Sequence, residues 1–158
     1  MLRLGLAAAL VVAVADQLSK LWILRLFAAD PARRVVPVTP FLNLALTWNR
    51  GMSFGLFDTN SRLNAVVFTV LAAIIVTGLV IWLRQVRQGL LALAIGLVIG
   101  GAIGNVIDRL LRGAVVDFLD FYLGQWHFYV FNLADAAISV GVALMVLDSL
   151  LARAKAAN

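Results

Sequence analysis

Two acidic residues at the edges of apolar segments are the groups in this sequence best suited to chemistry. Asp117 lies in the apolar run 115–118, and Asp135 follows 18 residues later, about one turn inside another apolar stretch. Two carboxylates a few ångströms apart do not both ionise easily, so one tends to keep a proton. Such a pair can activate water with one member and protonate a leaving group with the other. Spacing alone does not bring them together, so a non-catalytic acid pair stays open.

A third acid lies deep in an apolar stretch, four residues before a base. Asp16 and Lys20 therefore share one helical face, with the acid first, which is the favourable order. Charge at the centre of a membrane helix costs about 2.5–3.5 kcal/mol and needs a reason. One interpretation is a self-neutralising pair that helps the helix insert. The other is a pair that braces a polar cleft or grips a substrate, and the sequence leaves both open.

Polar residues also mark the end of the third apolar stretch and the start of the fourth. Asn105, Asp108 and Arg109 have helical offsets of three and four, after four glycines between positions 96 and 104. The glycines predict close packing against another helix. The residues alone favour a structural role, in which Asp108 and Arg109 pair at the helix end. Asn132 and Asp135 are three apart and share a face.

The segment from Asn49 to Gly55 is a weaker signal. By itself it predicts a turn with a glycine bend, and a structural role is favoured. The Asn49 side chain could hydrogen-bond a peptide, and Phe54 could cover a cleft.

Other chemistries lack the residues that they need. The sequence has no cysteine and one histidine, His127, which we interpret as a loop residue. A zinc site would then need several carboxylates, so we expect no metal and no cofactor. The glycines at 100–104 lie inside an apolar helix without the lysine of a phosphate-binding loop. No basic stripe carries stacking aromatics, so we expect no nucleic acid partner, and anionic lipid suits the net charge of +5.

The composition places all these residues in a membrane protein. Of 158 residues, 63% are hydrophobic and 13% charged, against about 45–50% and about 25% in soluble domains. Stretches of about 20 apolar residues cross a bilayer, and an open sheet would leave unpaired backbone in lipid. We expect one integral membrane domain, residues 1–158, with four helical spans, at about 4–27, 63–83, 90–111 and 130–151.

The two longer connections between spans, 28–62 and 112–129, differ in character. The first contains all three prolines of the chain and two short strand-like runs, at 35–38 and 41–46. It predicts a small β-sheet at the membrane surface between spans 1 and 2. The second carries Tyr122, Trp126 and Tyr129, aromatic residues that favour the interface.

Four spans place both termini on one side of the membrane. The positions of Lys and Arg do not decide the orientation by number. The short basic loop at 84–89 and the basic tail favour a cytoplasmic location for the termini.

Three functional hypotheses fit these features. The first is an aspartic endopeptidase, the second a small proton or ion conductor with buried Asp and Arg as a relay, and the third a scaffold built on the glycine-rich span. A peptidase needs Asp117 and Asp135 close enough to share one water. A relay would distribute carboxylates through the bilayer, and a scaffold would leave them exposed.

Five segments, taken together and in order, resemble the bacterial lipoprotein signal peptidases, or signal peptidase II. They span residues 16–135, most of the chain, and Ser53 is the one mild departure, at a position where alanine is common. The segments are Asp16-Gln17-Leu18-Ser19-Lys20, Asn49-Arg50-Gly51-Met52-Ser53-Phe54-Gly55, Gly101-Ala102-Ile103-Gly104-Asn105-Val106-Ile107-Asp108-Arg109, Val115-Val116-Asp117-Phe118 and Phe131-Asn132-Leu133-Ala134-Asp135.

The resemblance implies an aspartic peptidase with Asp117 and Asp135 as the catalytic dyad. It implies cleavage of prolipoproteins just N-terminal to a cysteine that carries a diacylglyceryl group, without metal or cofactor, and inhibition by globomycin. It also implies a sheet cradle, a short mobile helix over the cleft, cytoplasmic termini and a site near the outer leaflet of the bacterial inner membrane. The residues implied to support or line the site are Asp16, Lys20, Asn49, Gly51, Phe54, Gly104, Asn105, Asp108, Arg109, Asn132 and Ala134.

Overall fold

The computed structural model describes residues 1–51 and 61–156. In these residues there are four long helices, and the first and third connections between them contain short strands. In chain order the elements are α1 (Leu2–Ala28), β1 (Val36–Thr39), β2 (Leu42–Asn49), α2 (Ser61–Leu83), α3 (Gly89–Arg112), β3 (Val115–Leu123), β4 (Trp126–His127) and α4 (Leu133–Ala156).

All four helices are long and apolar enough to cross a membrane. Large apolar side chains such as Leu10, Val11 and Ile74 are more than 60% exposed on their outer surfaces. A soluble protein rarely exposes apolar surface on this scale, whereas a bilayer solvates it. The predicted architecture, four transmembrane helices with a small sheet, is confirmed.

Helix α3 is the centre of the bundle and packs against each of the other three helices. Its glycines permit this close approach. A Cβ atom at Gly96 would overlap the backbone oxygen of Gly5 in α1, and one at Gly101 would overlap the backbone oxygen of Ala134 in α4. The missing side chains bring the helix backbones into contact, as in other membrane helix pairs.

The sheet is antiparallel, with strand order β1-β2-β3-β4. Strand β2 pairs with β3, so that Thr47 lies opposite Asp117, and a bulge interrupts the register between Leu44 and Thr47. The sheet therefore takes strands from both long connections. The sequence predicted strands only between spans 1 and 2, because pairing between distant segments has no local signal.

The segment around Asp117 is thus a strand and not a loop. Gly113 ends α3 in the left-handed conformation, with φ of 75°, and the chain enters β3 two residues later. The first residues of β3 are buried, and Val116 and Phe118 pack with Ile23 and Phe27 of α1. This packing fixes the sheet against the end of the bundle where α1 and α3 terminate.

The interpretation of His127 as a loop residue is wrong. His127 lies in β4, opposite Tyr122 of β3. Its Nδ1 atom is 2.8 Å from Oδ1 of Asp120, and Asp120 also accepts a hydrogen bond from Asn43. The carboxylate of a neighbouring strand holds the imidazole in the sheet.

Candidate active site

A fully buried ion cluster joins α1 to α3. The Lys20 ammonium lies 2.8 Å from Oδ2 of Asp16 and 2.8 Å from Oδ2 of Asp108. It also donates to Oδ1 of Asn105 at 3.1 Å. The side chains of the three charged residues have no exposed surface. Because unpaired charges are so costly in this environment, the cluster fixes the relative position of the two helices.

Two further side chains complete this cluster. Gln17 donates to Oδ2 of Asp16 and to Oδ1 of Asp108. Arg112 donates to Oδ1 of Asp108 and to the amide oxygen of Gln17. Sequence reasoning missed both residues. Arg112 had a usable signal, since it follows Asp108 by four positions on the same helical face, whereas Gln17 offered only its polarity inside an apolar stretch.

The expected pairing of Asp108 with Arg109 is replaced by pairs with Lys20 and Arg112. Adjacent helical residues point in different directions and do not face each other. The Arg109 guanidinium instead lies over the ring of Phe68, 5.2 Å from its centroid. It also donates to the backbone oxygen of Asn105 at 3.4 Å.

Asp117 is 1% exposed in β3, and an amide holds it. The Asn132 side chain donates to Oδ1 of Asp117 at 2.6 Å. Burial raises the pKa of Asp117 to about 6. The nearby amide of Asn49 opposes this shift, the negative charge of Asp135 adds to it, and the Asn132 hydrogen bond again lowers the pKa.

Asp135 lies in the first turn of α4 and forms a reciprocal cap with Asn132. The backbone N–H of Asp135 donates to Oδ1 of Asn132 at 2.9 Å, and the backbone N–H of Asn132 donates to Oδ2 of Asp135 at 3.4 Å. The Asn105 side chain donates to the other oxygen, Oδ1, at 2.8 Å. Asn132 is the N-cap of α4, so the helix begins at Leu133 and not at the start of the apolar stretch near position 130.

The two amides also bond to each other. Asn132 donates to Oδ1 of Asn105 at 3.3 Å, while each amide donates to one of the carboxylates, Asp117 or Asp135. A continuous hydrogen-bonded chain therefore runs from one acid to the other. Because Lys20 donates to the same Asn105 oxygen, this chain is fixed to the buried ion cluster.

Three more of the predicted residues lie against Asp16 or Asn49. The backbone N–H of Ala134 donates to Oδ1 of Asp16 at 3.0 Å. A side chain at Gly104 would overlap the Asp16 carboxylate. Gly51 has φ of 83°, and its N–H donates to Oδ1 of Asn49 at 2.8 Å. Phe54 lies outside the described residues.

A cavity lies beside each acid. One of about 350 Å³ is lined by Asp117, and one of about 400 Å³ by Asp135. Tyr129 lines both. The first also contains Asn49, Trp48 and Arg50. Two carboxylates joined by neutral amides, one with a raised pKa and each beside open space, can carry out general acid–base chemistry on water.

Fold and site together define a membrane-embedded protein with two carboxylates joined by amide side chains at one end of a four-helix bundle. A sequence profile of the family described as signal peptidase (SPase) II matches residues 8–151. The chain belongs to this family and is therefore a protease of the signal peptidase II type. The resemblance found in the sequence is confirmed.

Individual relatives agree with this assignment. A lipoprotein signal peptidase of Nitrobacter hamburgensis is 46% identical over 154 residues, covering 95% of this chain and 93% of the relative. One of Burkholderia vietnamiensis is 48% identical over 147 residues, covering 92% and 86%. A solved structure described as a bacterial membrane enzyme has a TM-score of 0.77 at 31% identity and covers 92% of each chain. Another has a TM-score of 0.74 at 30% identity.

Proposed function

We propose that this protein removes the signal peptides of prolipoproteins whose cysteine carries a diacylglyceryl group, cutting just N-terminal to that cysteine. The family and the names of the relatives support the substrate class. The observation that carries the mechanism is the amide chain that joins Asp117 to Asp135. It holds two acids in one network without placing a cation on either.

Asp117 is the acid and Asp135 the base in this proposal. The raised pKa of Asp117 favours its protonated form. Both oxygens of Asp135 accept hydrogen bonds from N–H groups, at the positive end of α4, which suits a carboxylate. Asp135 takes a proton from water as the water oxygen attacks the scissile carbonyl carbon. Asp117 gives its proton to the leaving nitrogen as the C–N bond breaks.

The products are a signal peptide with a new C-terminal carboxyl group and a lipoprotein with a free cysteine amine. The other site residues position the reacting groups. Lys20, Asp16 and Asp108 hold α1 and α3 together, Asn105 and Asn132 orient the acids, and Gly104 and Ala134 allow the close approach of α1.

The site is at one end of the bundle, which supports the proposed location. Helices α1 and α3 end there, α4 begins there, and the sheet packs against α1 there. Both chain termini belong to the opposite ends of α1 and α4. We propose that the protein lies in the bacterial inner membrane with cytoplasmic termini, and that the site is near the outer leaflet, where the lipid anchor of the substrate lies. Globomycin-type inhibitors are expected to block it.

The test uses purified protein, diacylglyceryl-modified prolipoprotein and mass spectrometry of the products. Wild type should release the signal peptide at the lipidated cysteine, with inhibition by globomycin. Asp117→Asn and Asp135→Asn should each reduce turnover by at least about 10²–10⁴-fold, because the amide keeps the shape and loses the proton chemistry. Asp120→Asn is the matched control, a buried acid of the same strand bonded to His127. Near-normal turnover by either dyad variant would contradict the mechanism.

A further inference from the structure

Tyr129 is held in place between two backbone anchors beside β3. The N–H of Phe128 donates to the oxygen of Phe121 at 2.7 Å, and the N–H of Phe131 donates to the oxygen of Leu119 at 3.1 Å. The residues between the anchors run alongside the strand that carries Asp117. The position of the Tyr129 backbone is therefore fixed relative to the site, although its side chain is 57% exposed.

A second contact orients the Tyr129 hydroxyl. The Gly51 N–H donates to the Asn49 amide oxygen at 2.8 Å, which leaves the amide nitrogen of Asn49 to act as a donor. That nitrogen donates to the Tyr129 oxygen at 2.7 Å. A phenol that accepts a hydrogen bond still has its own O–H to donate. Among the backbone groups and side chains that the structure describes, no acceptor for this proton lies within hydrogen-bonding distance.

Tyr129 lies near both acids. It lines the cavity beside Asp117 and also the cavity beside Asp135. Burial, followed by the negative charges of Asp117 and Asp135, raises the pKa of Tyr129. The phenol therefore keeps its proton at neutral pH and stays a hydrogen-bond donor.

Resting on the proposed peptidase function, we propose that Tyr129 is a substrate-contacting residue whose hydroxyl donates a hydrogen bond to the carbonyl oxygen of the scissile peptide. The negative charge that develops on this oxygen during attack by water strengthens such a bond in the transition state. Asn49 then has two tasks, since it orients Tyr129 and lies beside Asp117. The competing interpretation is an aromatic residue that only anchors the protein at the interface.

Tyr129→Phe separates the two interpretations, because it removes the hydroxyl and keeps the ring. We expect kcat to fall by roughly 10²–10³-fold, the usual effect of losing one such donor, with KM changed by less than about 3-fold because the bond strengthens mainly in the transition state. Tyr122→Phe is the matched control. Its hydroxyl donates to the backbone oxygen of Thr39 in the sheet, so its kcat should equal that of wild type. An unchanged kcat in Tyr129→Phe would overturn the proposal.

A second measurement decides the matter even if Tyr129→Phe folds poorly. A ring-fluorinated tyrosine at position 129 keeps the hydroxyl and makes it more acidic. Deprotonation of Asp117, whose pKa is about 6, already lowers kcat as the pH rises. Ionisation of the Tyr129 phenol adds a second, steeper loss at higher pH, because the ionised phenol has no proton to donate. This second loss should move to lower pH in the fluorinated protein. The same replacement at Tyr122 should leave the pH profile in place. A profile that does not move with the replacement at Tyr129 would overturn the proposal.

The wild-type assay separates this inference from the function on which it rests. If wild type fails to cleave the diacylglyceryl prolipoprotein, the proposed function is wrong. If wild type cleaves it and Tyr129→Phe cleaves it equally well, the function stands and the role of Tyr129 is wrong.

Discussion

Two pairs of acids lie at the same end of the bundle, and one pair has charged partners whereas the other has neutral partners. Asp16 and Asp108 contact the Lys20 ammonium, and Arg112 adds a second cation at Asp108. Asp117 and Asp135 are held by amides and backbone N–H groups. In the described part of the chain, no Lys or Arg nitrogen lies within 4.0 Å of either.

The difference separates acids that hold the fold from acids available for chemistry. The ion pairs of Asp16 and Asp108 with Lys20 hold two helices together. Asp117 has a neutral amide as its partner, and burial raises its pKa to about 6. Asn105 links the groups, since it accepts from Lys20 and donates to Asp135. The ion cluster thereby orients Asp117 and Asp135 through a neutral amide and not through a direct ion pair.

Lys20→Met tests the acids that are paired with cations, and it should have the largest effect on stability. It leaves Asp16 and Asp108 buried without the ammonium that joins them. We expect a loss of about 3–5 kcal/mol in the free energy of unfolding in detergent. Arg33→Ala, which removes an exposed pair with Asp30, should change it by less than about 1 kcal/mol. Equal stability of Lys20→Met and wild type would mean that the cluster does not hold the helices.

The pH dependence of stability tests the acids that are held by amides. The pKa of Asp117 is about 6 in the folded state, above its ordinary 3.8. The folded state therefore binds this proton more tightly than the unfolded state. Stability should be greatest below pH 3.8 and decline as the pH rises to about 6, by up to about 3 kcal/mol. Asp117→Asn should lack this decline in chemical unfolding measured across the range. The same slope in both proteins would mean that Asp117 titrates normally.

In the proposed function, the diacylglyceryl group of the substrate holds the scissile bond at the depth of Asp117 and Asp135, which allows a test with the substrate itself. The acyl chains lie in lipid before binding, so their net effect is orientation more than affinity. Prolipoprotein without the diacylglyceryl group should show kcat reduced by roughly 10²-fold as well as a higher KM. Steady-state assays on modified and unmodified forms measure both. Equal turnover would refute this account of specificity and leave the acid pair untouched.

Chelators should have no effect, the smallest change expected. A metal at Asp117 and Asp135 would supply the cation that amides replace here, and the contrast between the two acid pairs would disappear. We therefore expect unchanged turnover after treatment with a strong chelator and dialysis. Activity lost on this treatment and restored by zinc would overturn the acid–base assignment.

The four helices and the Asp16–Lys20 pair could be predicted from the sequence for local reasons. An apolar stretch of about 20 residues has few alternatives to a membrane helix. Helical geometry alone places two residues four apart on one face. The same reasoning failed for Asp108, which pairs with Lys20 across two helices and not with its neighbour Arg109. No local pattern specifies a partner on another helix.

Strand β3 and the position of His127 in a strand could not be predicted from the local sequence either. Asp117 becomes a strand residue because β2, about 70 positions earlier, pairs with it. A strand with one exposed face is predicted from alternating apolar and polar residues. The first four residues of β3 are all buried, so this signal is missing there. Pairing of this kind depends on where the helices place the two connections.

The sequence by itself determined that the protein lies in lipid, that it has four membrane spans, and which acidic residues lie in or beside apolar stretches. Only the tertiary structure decided which acids pair with cations and which accept hydrogen bonds from amides. Asn105 and Asn132 meet because the glycines of α3 let α4 approach to backbone contact. Tyr129 meets Asn49 because two distant connections share one sheet. Hydrogen bonds reach about 3 Å, so only the packed helices and strands can fix which side chains share a proton.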